Sequence, residues 1–264
     1  MRIALTIAGS DSGGGAGIQA DLKTFAAFGV FGTSAITAVT AQNTLGVFRA
    51  VALDPSLVEA QIRAVAEDLR PQAVKTGMLA NAAVVAAVAQ AAESFGLRPL
   101  VVDPVMVASS GDVLLEPAAV AAIRDRLLPL AALVTPNLAE AEVLTGRAVR
   151  SEEEMRAAAA ALVAMGARAA LVKGGHLPGD DMVDILHDGR DLHALRASRL
   201  PANNPHGTGC TLSAGITAAL ARGCDLLPAV RAAVDFVRRA IAAAPGLGSG
   251  RGPLNHLIRP RPPE

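Results

Sequence analysis

The 264-residue sequence has no tryptophan and no tyrosine, and six phenylalanines are its whole complement of large aromatic side chains. That excludes a module that stacks nucleic-acid bases on exposed aromatic platforms. It also lacks net charge: 24 Lys+Arg stand against 24 Asp+Glu, so there is neither a basic surplus for a phosphate backbone nor an acidic tail. Two cysteines, Cys210 and Cys224, cannot form a disulfide framework, and a chain this long does not need one. No run of about 18 uninterrupted apolar residues is present, and the apolar stretch after Met1 is short for a secretory signal, so the expectation is a soluble, cytoplasmic protein. Lysine is scarce too. Lys23, Lys75 and Lys173 are the only three, against 21 arginines, and such a chain keeps lysine where a compact point charge is wanted. What the chain does have is 52% hydrophobic and only 18% charged residues, the composition of a folded protein with a large core. No linker or internal repeat divides it, so residues 1–264 are expected to form one domain.

Short apolar runs rich in Val and Ile suggest strands at Arg2–Ala8, Gly32–Val39, Ala73–Thr76, Leu100–Asp103, Leu133–Thr135 and Ala169–Lys173, each buried on both faces. Amphipathic stretches between them suggest helices at Ile18–Phe28, Ser56–Leu69, Ala82–Phe95, Pro117–Leu127 and Glu152–Met165. Asp54-Pro55 and Glu116-Pro117 mark helix starts, and Ser151-Glu152-Glu153-Glu154 reads as a capping box. Near the C-terminus, Asp184–Leu186 and Leu192–Ala194 flank Asp188-Gly189-Arg190 as a short hairpin, followed by helices at about Gly209–Ala221 and Leu227–Ala243. Alternating strands and helices imply a mostly parallel sheet with helices on both faces and ligands at the carboxyl ends of the strands.

Polar clusters fall at those ends. Gly9-Ser10-Asp11-Ser12-Gly13-Gly14-Gly15-Ala16-Gly17 lets backbone approach a ligand closely. Gly15-Ala16-Gly17-Ile18-Gln19-Ala20 matches the dinucleotide fingerprint, but no acid lies between Asp21 and Asp54 to hold a ribose, and no Gly-Lys-Ser/Thr follows to make a phosphate loop of the Walker type. A ligand-covering loop and a plain strand-to-helix turn both remain. Asn203-Asn204-Pro205-His206-Gly207-Thr208-Gly209-Cys210-Thr211 precedes an apolar helix, where free N–H groups and the helix dipole make an anion site. At that helix start the Cys210 thiol is expected to have a lowered pKa, or else to be an inert buried cysteine; Cys224 reads as structural. Thr135-Pro136-Asn137-Leu138-Ala139-Glu140 sets an amide and a carboxylate at i and i+3, suited to Mg²⁺ and equally to a helix N-cap. Leu171-Val172-Lys173-Gly174-Gly175-His176 and Val101-Val102-Asp103-Pro104-Val105-Met106 each end a strand on a charge.

Taken together in order and spacing, these segments resemble the ribokinase-like superfamily, and within it the hydroxymethylpyrimidine/phosphomethylpyrimidine kinase family of thiamine biosynthesis. The resemblance runs nearly the whole chain, from Leu5–Thr24 through Thr40–Thr44, Lys75–Leu79, Asp103–Met106, Leu133–Ala141 and Val172–His176 to His206–Ser213. It implies a ribokinase-like three-layer α/β/α sandwich with a mostly parallel central sheet and a small β lid, placed near 182–194. It implies ATP-dependent, Mg²⁺-assisted phosphorylation of 4-amino-5-hydroxymethyl-2-methylpyrimidine and then of its monophosphate, by a homodimer. Carried over by position, Gln42 reads the pyrimidine, and Asp21, Gly9, Met78 and Val105 line the same pocket. Gly207, Thr208 and Gly209 form the anion hole with Cys210 as the catalytic residue. Lys173, Asn137, Thr208 and Gly209 contact ATP phosphate, and Glu140 and Asp103 hold the metal. Where most sugar kinases of the superfamily carry Gly-x-Gly-Asp, this chain has Gly207-Thr208-Gly209-Cys210, which speaks against simple sugars.

Two alternatives stand beside that reading. A pyridoxal or pyridoxine kinase shares the superfamily and the cysteine-type anion hole, and Thr40-Ala41-Gln42-Asn43 points away from it. A non-catalytic pyrimidine- or phosphate-binding protein would keep Gln42 and lose Asn137, Glu140 or Cys210, all of which are present. A base role for Cys210 is chemically sound, since a thiolate can take a hydroxymethyl proton. The Gln42 amide offers a donor and an acceptor on one plane, matching an aminopyrimidine edge.

Overall fold

Nine strands form one sheet in a computed structural model that describes residues 1–106, 116–175, 177, 179, 181–200 and 206–261. They are β1 (Ile3–Asp11), β2 (Phe31–Asn43), β3 (Gly46–Ala52), β4 (Ala73–Thr76), β5 (Leu100–Val102), β6 (Leu133–Val134), β7 (Ala170–Val172), β8 (Asp181–His187) and β9 (Leu192–Ser198). Their order is β3-β2-β1-β4-β5-β6-β7-β8-β9. From β2 to β7 every neighbouring pair is parallel; β3, β8 and β9 are antiparallel additions at the two edges.

The helices are α1 (Gly17–Ala27), α2 (Pro55–Asp68), α3 (Ala82–Ser94), α4 (Pro117–Ala122), α5 (Leu138–Thr145), α6 (Glu152–Ala164), α7 (Thr208–Ala221) and α8 (Leu226–Ala242). Successive residues of each central strand feed opposite layers. Leu5, Val74, Val102 and Val134 pack with α2 to α6 on one face. Ala4, Ala73, Val101 and Leu133 pack with α1, α7 and α8 on the other. With both faces covered, the strands read as continuous apolar runs rather than alternating ones. Bulk is unequal between the layers: Ala4 and Ala73 face α7, a helix buried along most of its length, and small side chains let it lie close to the sheet.

Local chemistry sets the helix starts. Asp54 accepts from the Ser56 N–H with Pro55 in the first turn, and Asn81 accepts from the Val84 N–H. Ser151 caps α6, but its reciprocal carboxylate bond differs from the expected box: Glu154 Oε2 accepts from the Arg150 N–H, one residue before the cap.

The edges depart from expectation. The hairpin foreseen at 184–194 is present and longer, but β8 pairs with β7, so it continues the central sheet instead of standing apart as a lid. At the opposite edge β3 pairs with Ala38–Asn43 of β2, in which Val39 and Thr40 also pair with Ser10 and Asp11 of β1. His176 and Asn203-Asn204-Pro205, singled out in the sequence, lie outside the described residues.

Candidate active site

A cavity of about 970 Å³ opens where the carboxyl ends of β1, β2, β4, β5, β6 and β7 meet the first turn of α7. Ligand sites of parallel sheets form at such ends. All of the expected site residues except Asp21 line it.

Near β1 and β2 the wall is mostly neutral. Gln42 is held by its backbone: its N–H donates to Ser12 Oγ at 2.8 Å, and Ser12 Oγ–H donates to its carbonyl at 2.7 Å. Its amide lies 2.8 Å from His206 Nε2 and 3.3 Å from Thr40 Oγ1. Gly9 faces Met78, and a Cβ on Gly9 would stand 3.0 Å from the Met78 sulfur, so the glycine gives that side chain its room. Beside them Asp11 accepts the N–H groups of Gly13, Gly15 and Ala16 and contacts His206 Nε2 at 3.2 Å. Burial raises the Asp11 pKa, but His206 and these N–H groups outweigh it and hold the carboxylate below its usual range.

Near β5 to β7 the wall is charged. Lys173 Nζ lies 3.1 Å from Asp103 Oδ1 and 4.0 Å from Glu140 Oε2. Thr135 Oγ1 and Ser213 Oγ donate to the two Asp103 oxygens. Burial opposes the Asp103 charge, yet Lys173, Lys75 and these hydroxyls hold its pKa below normal. Glu140 and Asn137 form the full capping box of α5: Asn137 Oδ1 accepts the Glu140 N–H at 2.9 Å and Glu140 Oε2 accepts the Asn137 N–H at 2.8 Å. Burial, with Asp103 nearby, pushes Glu140 up to about 7 against the pull of Lys173.

Between the two ends stands the start of α7. Gly207 adopts φ 88°, and a Cβ there would lie 1.9 Å from the Gly15 carbonyl oxygen, so only glycine lets the two glycine loops meet. A Cβ on Gly209 would be 3.2 Å from Lys173 Nζ, so glycine lets the first turn of α7 lie close to that side chain. Helix dipole, N–H groups and lysine together favour an anion there.

Two expectations are corrected. Asp21 does not line the cavity. It is fully buried on the inner face of α1, 2.8 Å from Lys75 Nζ and 2.6 Å from Thr6 Oγ1. Burial would drive the Lys75 ammonium toward neutrality, but Asp21, Cys210 and Asp103 raise its pKa instead. The Cys210 thiol is not lowered. Burial pushes it up to about 11; Lys75 and the Gly17 N–H pull it down, while Asp21 and Asp103 push it further up. The dipole at a helix start is local, and here burial of the thiol outweighs it, with Asp21 of α1 and Asp103 at the end of β5 adding to the rise.

Sequence reasoning passed over Asp11, His206 and Thr40 as site residues, and gave Lys75 no place in the site. Arg199 was also missed: its guanidinium donates to the carbonyls of Gly175, Leu177 and Gly179 and clamps the glycine turn after β7. Among the described residues no group of three or more His, Cys, Asp or Glu side chains could hold a metal ion as a closed cage. A magnesium ion needs no such cage: it keeps several waters and takes one or two carboxylates plus phosphate oxygens. Asp103 and Glu140, both bonded to the protein and bridged by Lys173, fit that looser role. Also among the described residues, no helix is long and apolar enough to cross a membrane.

The family model for phosphomethylpyrimidine kinase matches residues 11–255. This chain belongs to that family. A hydroxymethylpyrimidine/phosphomethylpyrimidine kinase of Rhizobium meliloti is 56% identical over 260 residues, covering 97% of each chain. The fold is likewise that of solved ribokinase-like kinases. A Bacillus subtilis pyridoxal kinase in complex with ADP superposes with a TM-score of 0.90 at 37% identity, covering 97% of each chain. A Clostridium difficile phosphomethylpyrimidine kinase gives 0.82 at 41% identity, covering 91% of this chain and 100% of that one.

Proposed function

We propose that the protein transfers the γ-phosphoryl group of ATP first to the hydroxymethyl group of 4-amino-5-hydroxymethyl-2-methylpyrimidine and then to the resulting monophosphate, in thiamine biosynthesis. The observation that carries this reading is the union in one cavity of a backbone-locked amide, Gln42, with the anion-binding start of α7 and Lys173. One end suits a flat heteroaromatic ring and the other a phosphate chain. Relatives named for both phosphorylations, at 50–56% identity, support the same assignment.

In this reading the pyrimidine lies against Gly9, Gln42, Met78 and Val105. Lys173, Asn137, Gly209 and Thr208 hold the ATP phosphates, with Asp103 and Glu140 beside the metal. Magnesium, when bound, neutralises phosphate charge and organises the triphosphate. The substrate oxygen forms its bond to the γ-phosphorus, the bond to the β,γ-bridging oxygen breaks, and ADP leaves. Gly207 to Cys210 turn their N–H groups to the charge on the transferring group. Cys210 receives the hydroxymethyl proton as thiolate. Burial holds that thiol protonated in the ligand-free protein, with Asp21 and Asp103 adding to the effect, so the role requires the bound substrates to favour the thiolate.

Pyridoxal phosphorylation is the second reading, and the observation favouring it is the close superposition on pyridoxal kinases. An ADP-release assay over the aminopyrimidine alcohol, its phosphate, pyridoxal and ribose separates the two. Turnover of both pyrimidines well above pyridoxal is expected; turnover of pyridoxal alone would overturn the assignment.

The functional unit in this reading is a homodimer formed through the β2–β3 edge. Phe48 is 69% exposed and Val51 50%, and Phe31 and Val39 add to the same sheet edge. An apolar, unpaired strand edge of this kind is a natural contact between copies. Light scattering should report a dimer, and Phe48→Glu should convert it to a monomer; a monomeric wild type would refute the assembly.

A further inference from the structure

His206 faces two groups with a single ring nitrogen. Its Nε2 lies 2.8 Å from the Gln42 amide nitrogen and 3.2 Å from Asp11 Oδ2. The imidazole side chain is 12% exposed and the Asp11 side chain 4%. Asp11 is an ionised acceptor, fixed by three backbone N–H groups, so the contact is a bond only if Nε2 carries a proton. A protonated Nε2 cannot accept from the Gln42 NH₂ group. With the amide nitrogen toward His206, one Thr40 hydroxyl proton must also serve two acceptors, the Ser10 carbonyl at 3.0 Å and Gln42 Oε1 at 3.3 Å.

Both conflicts vanish together if the Gln42 amide is turned by 180° about its last bond, which exchanges oxygen and nitrogen and moves nothing else. The His206 Nε2–H then donates to Gln42 Oε1, sharing Asp11 as a second acceptor. The Gln42 NH₂ group donates to Thr40 Oγ1, and the Thr40 hydroxyl is free to give its proton to the Ser10 carbonyl. His206 Nε2, both ends of the Gln42 amide and the Thr40 hydroxyl each have a matched partner in this orientation, and burial makes an unmade bond expensive.

We propose that His206 is a positioning residue that, through an Nε2–H directed at Asp11, locks the Gln42 amide with its oxygen toward His206 and its nitrogen toward Thr40. The lock sets the order in which the site offers acceptor and donor to a ring. A ring is then accepted when an exocyclic amine lies on the His206 side and an unprotonated ring nitrogen on the Thr40 side. A 4-oxo analogue, with a carbonyl and a ring N–H in those places, presents the reverse order and is refused. The specificity statement rests on the aminopyrimidine reading above; the statement about the His206 proton does not.

Two measurements test it. Long-range ¹H–¹⁵N spectra of the histidine-labelled, ligand-free protein, with His206 assigned through His206→Gln, report which ring nitrogen bears hydrogen. A protonated Nε2 is expected, and a bare Nε2 would overturn the proposal whatever the enzyme phosphorylates. The second is the ratio of kcat/KM for the 4-amino alcohol to that for its 4-oxo analogue. In His206→Leu, which keeps bulk and removes the donor, the ratio should fall by about tenfold or more, through KM rather than kcat. His206→Gln, with an N–H at similar reach, should recover most of it. Equal ratios in the wild type, Leu and Gln proteins would reduce His206 to packing and refute the lock. Inactivity of the wild type toward the 4-amino alcohol would instead refute the functional reading, leaving the spectra to decide the proton.

Discussion

At the β1–β2 end of the cavity, Gln42, Thr40, Ser10 and Ser12 are neutral groups tied to one another and to backbone, and the single carboxylate, Asp11, is saturated by N–H donors. At the β5–β7 end, Asp103, Glu140 and Lys173 share one small space, and the Lys75–Asp21 pair lies buried beneath Cys210. The first end can be finished before any ligand arrives, because hydrogen bonds between neutral groups are satisfied in place. The second cannot. Burial holds Glu140 up to about 7 and the Cys210 thiol up to about 11 against the pull of Lys173 and Lys75, a balance that changes when a polyanion enters. Shape and hydrogen-bond order are therefore properties of the neutral end, and reactivity is a property of the charged end.

The comparison breaks most sharply at Cys210. Cys210→Ala should lower kcat by about 10²–10⁴, the usual worth of a general base. Cys210→Asp should recover part of the rate and Cys210→Ser little. Since a thiol pKa near 11 leaves little thiolate at neutral pH, alkylation of the wild type should accelerate steadily as pH rises toward 10, with bound pyrimidine protecting. Near wild-type kcat in Cys210→Ala would place the thiol among the packing groups.

Lys75→Met leaves Asp21 buried without its cation and should cost about 3–5 kcal/mol of stability, read as a lower denaturant midpoint. Adding Asp21→Leu should restore most of it; no recovery would mean that the pair does more than neutralise itself. Lys173→Met should lower kcat by about 10²–10³, as loss of one electrostatic contact to the transferring group does elsewhere, and should also lower the melting temperature, because buried Asp103 loses the cation 3.1 Å away.

At the neutral end, Gln42→Leu should act on binding. A buried pairing worth about 1–3 kcal/mol is lost, so KM for the aminopyrimidine should rise by about tenfold to a hundredfold while kcat falls less. An unchanged KM would remove Gln42 from the ring contact. The smallest effect is expected from Glu140→Gln, which should shift the magnesium titration to higher concentration, since a hard cation loses a carboxylate near its water shell. An unchanged titration would leave Glu140 only its capping role.

Strands such as Ala73–Thr76 and Leu100–Val102 were legible in the sequence because burial on both faces leaves an unbroken apolar run. β3, Gly46–Ala52, was not, since an exposed edge strand has no buried face to give it a period. In the site, glycines and charges at strand ends were legible because backbone approach and phosphate binding each demand local residue types. The pairs that tune them were not. Lys75 and Asp21 are 54 residues apart, and His206 and Asp11 are 195 apart, so no spacing announces either contact. Cys210 shows the consequence: its helix start was readable, and the burial that raises its pKa, with Asp21 and Asp103 adding to it, was not.

The division between the two ends is tested most directly by calorimetric binding to Gln42→Leu and Lys173→Met, with the aminopyrimidine alcohol and a non-hydrolysable ATP analogue each titrated alone. The account predicts a crossed pattern: Gln42→Leu loses affinity for the pyrimidine and keeps that for the nucleotide, and Lys173→Met does the reverse. Parallel losses of both ligands in both variants would contradict it.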